Sequence, residues 1–349
     1  MTKDLEYKSF SSVNLTDPFF DSLKEDYPGF ADWYLGKAQK QENAYVNYIN
    51  GMLEGFLYFK DDGNIVQDVT PELRANKILK IGTFKINPHR TRLGERFIKI
   101  ALDHAVLGGY DLCYVTIFGK HSALIKLFEK YGFEYAGNKL SKAGEEGVYV
   151  KRFDKWLGDI CKDYPLVKTE DVKKYLLSIY PRYHTVMFPD SKLNNESDNL
   201  IRDISHTNSI HKIYVCGMGV EVLNKGDIVV LYRTADSVSA EYSSVATSMC
   251  VVEEVHHQDD FKNFDEFYQY ACKYSIFDKA DLYKYYRRGG CRTVKMLYNI
   301  ALPKRITRHD LIEKAGLPRD KYWGFMQISD AQFEEIMNLG KVNSDYVFS

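Results

Sequence analysis

The chain has 349 residues, of which 45% are hydrophobic, and a formal net charge of -1 at pH 7. This length is natural for two domains, each large enough to bury a core. The near-neutral charge excludes nucleic-acid binding through overall charge alone, so any such binding would need a local basic patch.

Cysteine usage indicates the compartment. The six cysteines, at positions 113, 161, 216, 250, 272 and 291, never form a Cys-x-x-Cys spacing. This pattern argues against a zinc site and for free thiols in a reducing compartment. The sequence shows no signal peptide and no apolar run long enough to span a bilayer. We therefore expect a cytoplasmic protein without a metal site and without membrane association.

The first half alternates predicted strands and helices. Residues 44–49 and 52–60 are predicted strands joined at Asn50-Gly51, a dipeptide typical of tight hairpin turns. A strand-like run from Lys80 ends at Pro88, and the apolar spacing of a helix begins near Gly94. The remaining predicted elements are a strand at 112–116, a helix at 122–130 that leads into Tyr131-Gly132-Phe133, and a strand at 147–153.

The turn between Pro88 and the helix is basic, because Arg90, Arg92 and Arg96 flank Gly94. The first amides of a helix have no partner within the helix and lie at the positive end of its dipole, so they bind anions well. The turn therefore predicts a phosphate site, and a pyrophosphate is the expected ligand.

Three phosphate-binding patterns compete for this turn. A P-loop fits poorly because Gly-Lys-Ser/Thr is missing, and a dinucleotide fingerprint fits poorly because the triple-glycine turn is missing. The turn resembles the pyrophosphate loop of the GNAT acyl-CoA transferases, which has Arg or Gln, two residues, Gly, one residue, then Gly or Ala. Ending this pattern on Gly94 places His89 at its first position and Arg92 where the first glycine is usual. A solvated basic turn is the alternative interpretation.

The order of elements over about 150 residues also resembles a GNAT domain. This resemblance implies acetyl-CoA as the cofactor. The strand before the turn would offer backbone amides to the thioester carbonyl and the pantetheine, and the turn amides would hold the pyrophosphate. His121 replaces an asparagine common in the family and would hydrogen-bond the cofactor. The implied cofactor-binding residues are Phe84, Ile86, Arg90, Thr91, Arg92, Leu93, Gly94, Glu95, Arg96 and His121.

The residues for proton transfer depart from the family pattern. Many GNAT enzymes have a tyrosine shortly before the Gly-Phe pair as the acid for the leaving thiolate, and this chain has Phe128 at the matching position. Tyr131 and Tyr58 are the predicted substitute acids. The strand before the turn carries no carboxylate, so Glu54 and Glu72 are the candidate bases for the amine proton.

A boundary is expected near Phe153. Residues 154–164 have the apolar spacing of a bridging helix, and residues 172–179 are predicted to form a helix with Thr169 as its N-cap. A polar stretch over 191–207 is a predicted loop. These features predict a GNAT-like domain over 1–153, a helical linker over 154–200 and a further domain over 201–349.

The second half is dominated by strands. They are predicted at 212–216, 227–233, 244–255 and 292–302, with helices at 265–273 and 279–286. The segment 224–232 with its Gly-Asp turn, followed by a strand that reaches Val255, resembles PUA-like barrels of the ASCH and EVE kind, whose members often bind RNA or modified bases. An ordinary hairpin turn is the alternative. The predicted fold class is therefore α/β, or α+β: a GNAT fold followed by a PUA-like small β-barrel with helices.

A basic run lies within this second half. Residues 279–308 contain nine lysines and arginines and one acid, Asp281, with tyrosines among them. Arginine beside aromatic rings suits phosphate contacts and base stacking, whereas a solvated helix face is the alternative. The predicted nucleic-acid contacts are Arg287, Arg288, Arg292 and Lys295 on this run, with Lys212, Arg233 and Thr247 as pocket residues for a modified base.

Two functions remain open. The first is an acetyl-CoA-dependent N-acetyltransferase whose C-terminal domain binds RNA, single-stranded nucleic acid or a modified base. The second is a binding or regulatory protein in which the GNAT half is catalytically degenerate. The intact strand, turn and helix favour the first, and the missing tyrosine favours the second.

Overall fold

The computed structural model describes residues 5–88, 91–193, 205–235 and 239–348. The chain divides into two compact units, Met1–Tyr164 and Pro165–Ser349, each with its own sheet. Arg90 and His89, and most of the predicted polar loop at 191–207, lie outside the described residues.

The first unit is built on a seven-stranded sheet with the order β1-β2-β3-β6-β7-β9-β8. Strands β6 and β7 run parallel, and the other neighbouring strands run antiparallel. The strands are β1 (Leu5–Ser9), β2 (Asn43–Ile49), β3 (Met52–Asp61), β6 (Ile78–Ile86), β7 (Leu112–Ile117), β8 (Glu134–Ser141) and β9 (Gly144–Arg152), and a separate ribbon pairs β4 (Ile65–Val66) with β5 (Leu73–Arg74).

Four helices of this unit are α1 (Asp21–Asp26), α2 (Phe30–Gln39), α3 (Leu93–Leu107) and α4 (Ser122–Lys130). The predicted hairpin is confirmed, and Asn50 and Gly51 both have positive φ angles, 51° and 82°. An aromatic core between α2 and the sheet includes Phe10, Phe20 and Phe56, whose rings meet edge to face.

The second unit contains a six-stranded sheet with the order β12-β15-β14-β13-β11-β16. Strands β12 and β16 are the two edges of this sheet, and they do not pair with each other within the described ranges. The strands are β11 (Lys174–Ile179), β12 (His211–Cys216), β13 (Ile228–Arg233), β14 (Val245–His257), β15 (Arg292–Thr307) and β16 (Phe325–Ile328), and β10 (Val167–Lys168) pairs with β17 (Val347–Phe348).

The helices of the second unit contribute Met187, Phe267, Ala271 and Leu282 to its two apolar clusters. These helices are α5 (Pro181–Met187), α6 (Ser205–Asn208), α7 (Ala240–Ser243), α8 (Phe264–Ala271), α9 (Lys279–Arg287), α10 (Arg308–Glu313) and α11 (Asp330–Leu339). The predicted α/β class, with a strand-rich second half, is confirmed.

The predicted helix at 172–179 is wrong, because residues 174–179 form β11. This strand runs parallel to β13 and antiparallel to β16, and nearly all of its side chains are buried. A short apolar run that is buried on both faces has no helical or strand periodicity to distinguish the two. The capping role predicted for Thr169 therefore does not apply.

The predicted bridging helix at 154–164 is also not formed. The Asp163 carboxylate accepts hydrogen bonds from the amides of Leu157, at 2.7 Å, and Asp159, at 2.9 Å, and Gly158 has a φ of 78°. These side-chain bonds and the left-handed glycine hold the segment in turns. Tyr164 packs against Tyr131, so this segment belongs to the first unit.

Candidate active site

The two parallel strands of the first unit separate partway along their length. Strand β6 pairs with β7 only from Ile78 to Ile81, opposite Leu112 to Val115, although β6 continues to Ile86 and β7 to Ile117. Beyond Ile81, β6 is paired only with β3 in the described sheet. The edge of β6 that faces β7 is therefore open to a ligand over the last residues of the strand.

A β-bulge lies at this separation. In the pairing with β3, Thr83 is opposite Tyr58 and Ile81 is opposite Phe59, so Gly82 is an extra residue in β6. A bulge bends its strand and increases the local twist. The bend occurs directly after the last β6–β7 pair, so the bulge accounts for the opening.

Helix α3 begins close to the end of β6. Its N-cap, Arg92, has a left-handed φ of 59° and forms no side-chain capping bond. Gly94, in the first turn, packs tightly, because a Cβ there would lie 2.8 Å from Leu127 Cδ2 and 3.2 Å from Ile86 Cδ1. The start of α3 is thereby held against both β6 and α4, with its first amides available for an anion.

The separated strands and the start of α3 border one cleft of about 1270 Å³. One end is bordered by Arg92, Leu93 and Gly94. The other end is bordered by side chains from α2, β3, β6 and β8, namely Lys37, Tyr58, Lys60, Lys80 and Lys139. This volume exceeds the usual range for small-ligand sites, so the cleft has room for a large cofactor together with a second substrate.

Most of the predicted cofactor residues border this cleft. They are Phe84, Ile86, Thr91, Arg92, Leu93, Gly94 and His121. Glu95 and Arg96 are not among the lining residues, and the Glu95 carboxylate lies 3.2 Å from Lys130 Nζ in an ion pair. Arg90 lies outside the described residues.

The two predicted catalytic residues are not brought to the cleft. Tyr131 is completely buried, packs against Tyr164 and accepts a hydrogen bond from Lys151 at its carbonyl oxygen. Glu54 lies on β3, where its carbonyl oxygen accepts a bond from the amide of Asn87, and it does not border the cleft. Neither side chain is placed for proton transfer there.

Phe128 is also part of the core. It is completely buried and its ring meets Phe84 at 5.1 Å between centroids. This position therefore supplies packing against β6 and no proton.

A buried carboxylate that the sequence did not single out does border the cleft. Glu146, on β9, is 3% exposed and accepts hydrogen bonds from Tyr27 at 2.7 Å and from Thr116 at 3.1 Å. Burial, followed by the hydrogen bond to Glu146, raises the pKa of the Tyr27 phenol, so this phenol stays protonated and donates. Glu146 is an acceptor fixed by two donors at the edge of the cleft.

The second candidate acid from the sequence, Tyr58, does reach the cleft. Its hydroxyl donates to the Glu42 carboxylate, and the Lys37 ammonium lies 2.9 Å from the same carboxylate and over the Tyr58 ring. Burial first, and the bond to Glu42 second, raise the pKa of Tyr58 well above its ordinary value. The phenol is therefore protonated at neutral pH.

Asp26 connects α1 to the start of α4. It forms an ion pair with Lys120 and lies 3.3 Å from His121 Nε2. Burial alone would raise the pKa of Asp26, but the bonds from Lys120 and His121 outweigh burial and lower it. His121 is thus held at the N-terminus of α4 within the cleft lining.

In the second unit, the three predicted pocket residues lie in the interior. Lys212 is fully buried and donates to the carbonyl oxygens of His206, at 2.6 Å, and Thr207, at 3.1 Å. Arg233 is 3% exposed and Thr247 is fully buried. Side chains buried in this way are not placed for contacts with phosphates at the surface.

Thr247 belongs to a buried polar network. Its hydroxyl lies 2.8 Å from His184 Nε2, and Ser191 Oγ joins the hydroxyls of Ser248 and Tyr298 at 2.6 and 2.8 Å. Burial, and after it the charges of Arg233 and Arg305, lower the pKa of His184 to about 3. The imidazole is therefore neutral at physiological pH.

Three basic residues of the run at 279–308 pair with acids from other parts of the chain. Arg292 pairs with Glu221, Lys295 lies 3.3 Å from both Glu253 and Glu254, and Lys279 lies 3.9 Å from Asp265. Two of the predicted nucleic-acid contacts, Arg292 and Lys295, are therefore already paired, by acids that are distant in sequence.

Two predicted contacts remain exposed at the end of α9. Arg287 and Arg288 form no ion pair within the described ranges, and Arg287 lies 5.8 Å from the centre of the Tyr283 ring. These two arginines and this half-exposed ring are an accessible part of the run, and arginine beside an aromatic ring suits contacts with nucleic acid.

Comparison with known proteins gives matches among solved structures. No protein-family model and no curated protein matches the chain. The chain is similar to a mutant ASCH protein from Zymomonas mobilis, at 9% identity over 48% of this chain and 97% of that chain, with a TM-score of 0.34. It is similar to a GNAT-family acetyltransferase from Streptococcus agalactiae, at 17% identity over 39% of this chain and 79% of that chain, with a TM-score of 0.29.

A third similar structure is the NatC complex bound to a Gag peptide and CoA, at 16% identity over 42% of this chain and 97% of that chain, with a TM-score of 0.29. Both resemblances expected from the sequence, to GNAT acetyltransferases and to ASCH domains, are therefore found among solved structures, each over part of the chain. Within the described ranges, no helix has the length and apolarity needed to cross a bilayer.

Proposed function

We propose that the first unit is an acetyl-CoA-dependent N-acetyltransferase. The observation that carries this proposal is the opening between β6 and β7 at the Gly82 bulge, next to the uncapped start of α3. The open edge of β6 offers backbone amides to a thioester and its pantetheine, and the helix start offers amides to a pyrophosphate. One cleft borders both the open edge of β6 and the start of α3.

The reaction is a direct transfer. The amine nitrogen attacks the thioester carbonyl carbon, a C–N bond forms, the C–S bond breaks, and the amide and CoA are the products. Glu146 is the base that removes the amine proton, directly or through one water, because it is the buried carboxylate held at the cleft by two donors. Tyr58, which borders the cleft as a protonated phenol, supplies the proton that the thiolate takes up.

Calorimetry with acetyl-CoA and CoA tests the cofactor. We expect binding with a dissociation constant in the range of about 1 μM to 1 mM that is typical of enzyme substrates. Absence of binding by either ligand at several millimolar would overturn the proposal. For the proton donor, Tyr58→Phe should slow turnover, whereas Tyr131→Phe should not, because Tyr131 does not border the cleft.

A catalytically degenerate first unit is the second candidate. The observation that favours it is the fully buried Phe128 at the position where the resemblance expects the acid. Under this alternative, the unit binds CoA but does not transfer the acetyl group to any amine. Binding without CoA release in the presence of a broad set of amines would favour it.

For the second unit we propose recognition of RNA or single-stranded nucleic acid, with Arg287 and Arg288 at the surface and the buried Lys212, Arg233 and Thr247 around an enclosed base. Exposed arginines beside Tyr283 support the surface contact. All six cysteines are free, which supports action in the cytoplasm. Fluorescence anisotropy with labelled single strands tests the binding, and no binding at low salt would overturn it.

A further inference from the structure

The end of the cleft away from α3 contains an unusual pair of lysines. Lys80 on β6 and Lys139 on β8 both border the cleft. Lys139 Nζ lies 2.5 Å from Asp68 Oδ2. Lys80 forms no ion pair in the part of the chain that the structure describes, and its ammonium lies 5.4 Å from the centre of the Tyr114 ring.

The environment of Lys80 disfavours its charge. Burial, and after it the positive charge of Lys139, lower the pKa of Lys80 to about 8. A partly desolvated ammonium without a carboxylate partner reduces stability, and a second ammonium nearby adds repulsion. Groups in this state concentrate at functional sites, where a ligand supplies the missing opposite charge.

Two carboxylates near this end of the cleft are already engaged with groups other than Lys80. Asp62 forms an ion pair with Lys60 and accepts a hydrogen bond from the Tyr114 hydroxyl at 2.6 Å. Asp68 is already paired with Lys139, and its side chain is 62% exposed. Of the three ammonium groups at this end, Lys60 and Lys139 therefore have carboxylate partners, whereas Lys80 has no ion pair among the described residues.

The two lysines lie beside the proposed base. Lys139 is directly opposite Glu146 in the β8–β9 register. Burial alone would lower the pKa of Lys139, but the bond to Asp68 and the charges of Asp68 and Glu146 outweigh burial and raise it. An amine bound near Glu146 would therefore lie next to the ammonium groups of Lys80 and Lys139. A substrate that carries its own anion a few bonds from the amine would match both groups.

We infer that the acceptor of the proposed acetyl transfer is a small amine that also carries an anionic group, a carboxylate or a phosphate, bound by Lys80 and Lys139. The amine in this inference rests on the proposed function, and the anionic group rests on the lysine pair. Lys80 is a specificity-determining residue under this assignment, because it contacts the part of the acceptor that does not react.

Calorimetry on the full chain saturated with CoA tests the inference with three probes: γ-aminobutyrate, aminoethyl phosphate and butylamine. The first two add a carboxylate or a phosphate to a primary amine, and their relative affinities distinguish the two anions. A charge-assisted contact is worth about ten- to a hundredfold in affinity, so at least one anionic probe should bind at least about tenfold more tightly than butylamine.

The difference between the probes should disappear in Lys80→Met. Lys77→Met is the matched control, because Lys77 does not border the cleft and its Nζ donates to the Gly108 carbonyl oxygen at 2.7 Å, and this variant should keep the difference. Equal affinities in the wild type, no binding of either anionic probe, or an undiminished difference in Lys80→Met would each overturn the inference.

Two further measurements separate the possible failures. CoA binding is measured first for every variant, and the same probes are then titrated into the protein without CoA. Absence of CoA binding by the wild type would contradict the proposed function. A preference for the anionic probes that depends on Lys80 and is also seen without CoA would still support the lysine site. Thermal unfolding of Lys80→Met should show no loss of stability, because the variant removes an ammonium that has no ion-pair partner.

Discussion

Gly82 and Tyr58 fit together at the point where β6 leaves β7. A Cβ at position 82 would lie 2.8 Å from Tyr58 Cδ1, so the tyrosine ring occupies the space that any larger residue would need. Gly82 is also the extra residue of the bulge opposite this tyrosine. The opening of the cleft therefore depends on the absence of a side chain at Gly82 and on the Tyr58 ring, which packs against this glycine.

Gly82→Ala should displace the Tyr58 ring. Overpacking of this kind costs about 1–3 kcal/mol in the free energy of unfolding, which urea denaturation measures. CoA binding should weaken as well, because the ring borders the cleft. Gly119→Ala is the matched control, since a Cβ there meets no atom within 4 Å. Unchanged stability and CoA affinity in Gly82→Ala would contradict this role.

Charge at the start of α3 should control cofactor binding. Gly94→Asn and Gly94→Asp both bring a Cβ against Leu127, and they differ only in the charge of the side chain. We expect Gly94→Asp to bind CoA at least about tenfold more weakly than Gly94→Asn, because a carboxylate opposes an anion at a helix N-terminus. Equal CoA affinities of the two variants would contradict binding of the pyrophosphate at the start of α3.

Glu146→Gln should lower kcat without loss of the fold, because an amide oxygen can still accept the bonds from Tyr27 and Thr116. A general base contributes about 10²- to 10⁴-fold to the rate. Glu145→Gln, at the exposed neighbouring position on β9, should have the rate of the wild type. A normal rate in Glu146→Gln would exclude this carboxylate as the base.

Acid should destabilise the second unit through His184. The pKa of this imidazole falls from its usual 6.5 to about 3 in the folded chain. Below pH 6.5 the unfolded chain takes up a proton that the folded chain does not, so the free energy of unfolding falls as the pH drops from 6.5 towards 3. The loss is at most about 1.4 kcal/mol per pH unit for this group.

His184→Gln should make the slope of the free energy of unfolding against pH less steep, by up to the contribution of one proton. Urea unfolding at several pH values between 4 and 6.5 measures this slope. Burial, followed by the Lys212 charge, also lowers the pKa of His206, to about 4, so part of the dependence should remain. An identical slope in wild type and His184→Gln would show that the imidazole is already charged in the folded protein.

Nucleic-acid affinity should depend on Arg287 and Arg288 and less on the paired basic residues. Each phosphate contact contributes about -0.7 to the slope of log affinity against log salt for single strands, so replacing both arginines by glutamine should flatten the slope by about 1.4. Lys295→Gln should change it less, because Lys295 already pairs with Glu253 and Glu254. The reverse order of effects would place the contact on β15.

Local features of the fold followed from the sequence, and features set by distant residues did not. The Asn50-Gly51 turn and the break between Pro88 and α3 depend on residues next to each other in the chain. By contrast, β11 is a strand because β13 and β16 cover it, which its own residues do not specify.

The candidate site shows the same division. The turn at Gly94 was predicted, because a helix start and its glycine are local signals. Glu146 does not stand out in the sequence, because Thr116 meets it only when β7 and β9 pair, and Tyr27 reaches it from the end of α1, 119 residues away in the chain. Tyr131 was chosen from its spacing along the helix, which does not reveal that the side chain turns into the core.

The parallel pairing of Val167–Lys168 with Val347–Phe348 has a consequence for how the second unit can be rearranged. It brings the first and last strands of that unit side by side, although almost the whole unit lies between them in the chain. Adjacent termini are the condition under which a domain tolerates circular permutation. A short linker joining 349 to 165, with new ends opened at an exposed turn such as Gly289-Gly290, should therefore give a permuted unit that keeps the same sheet.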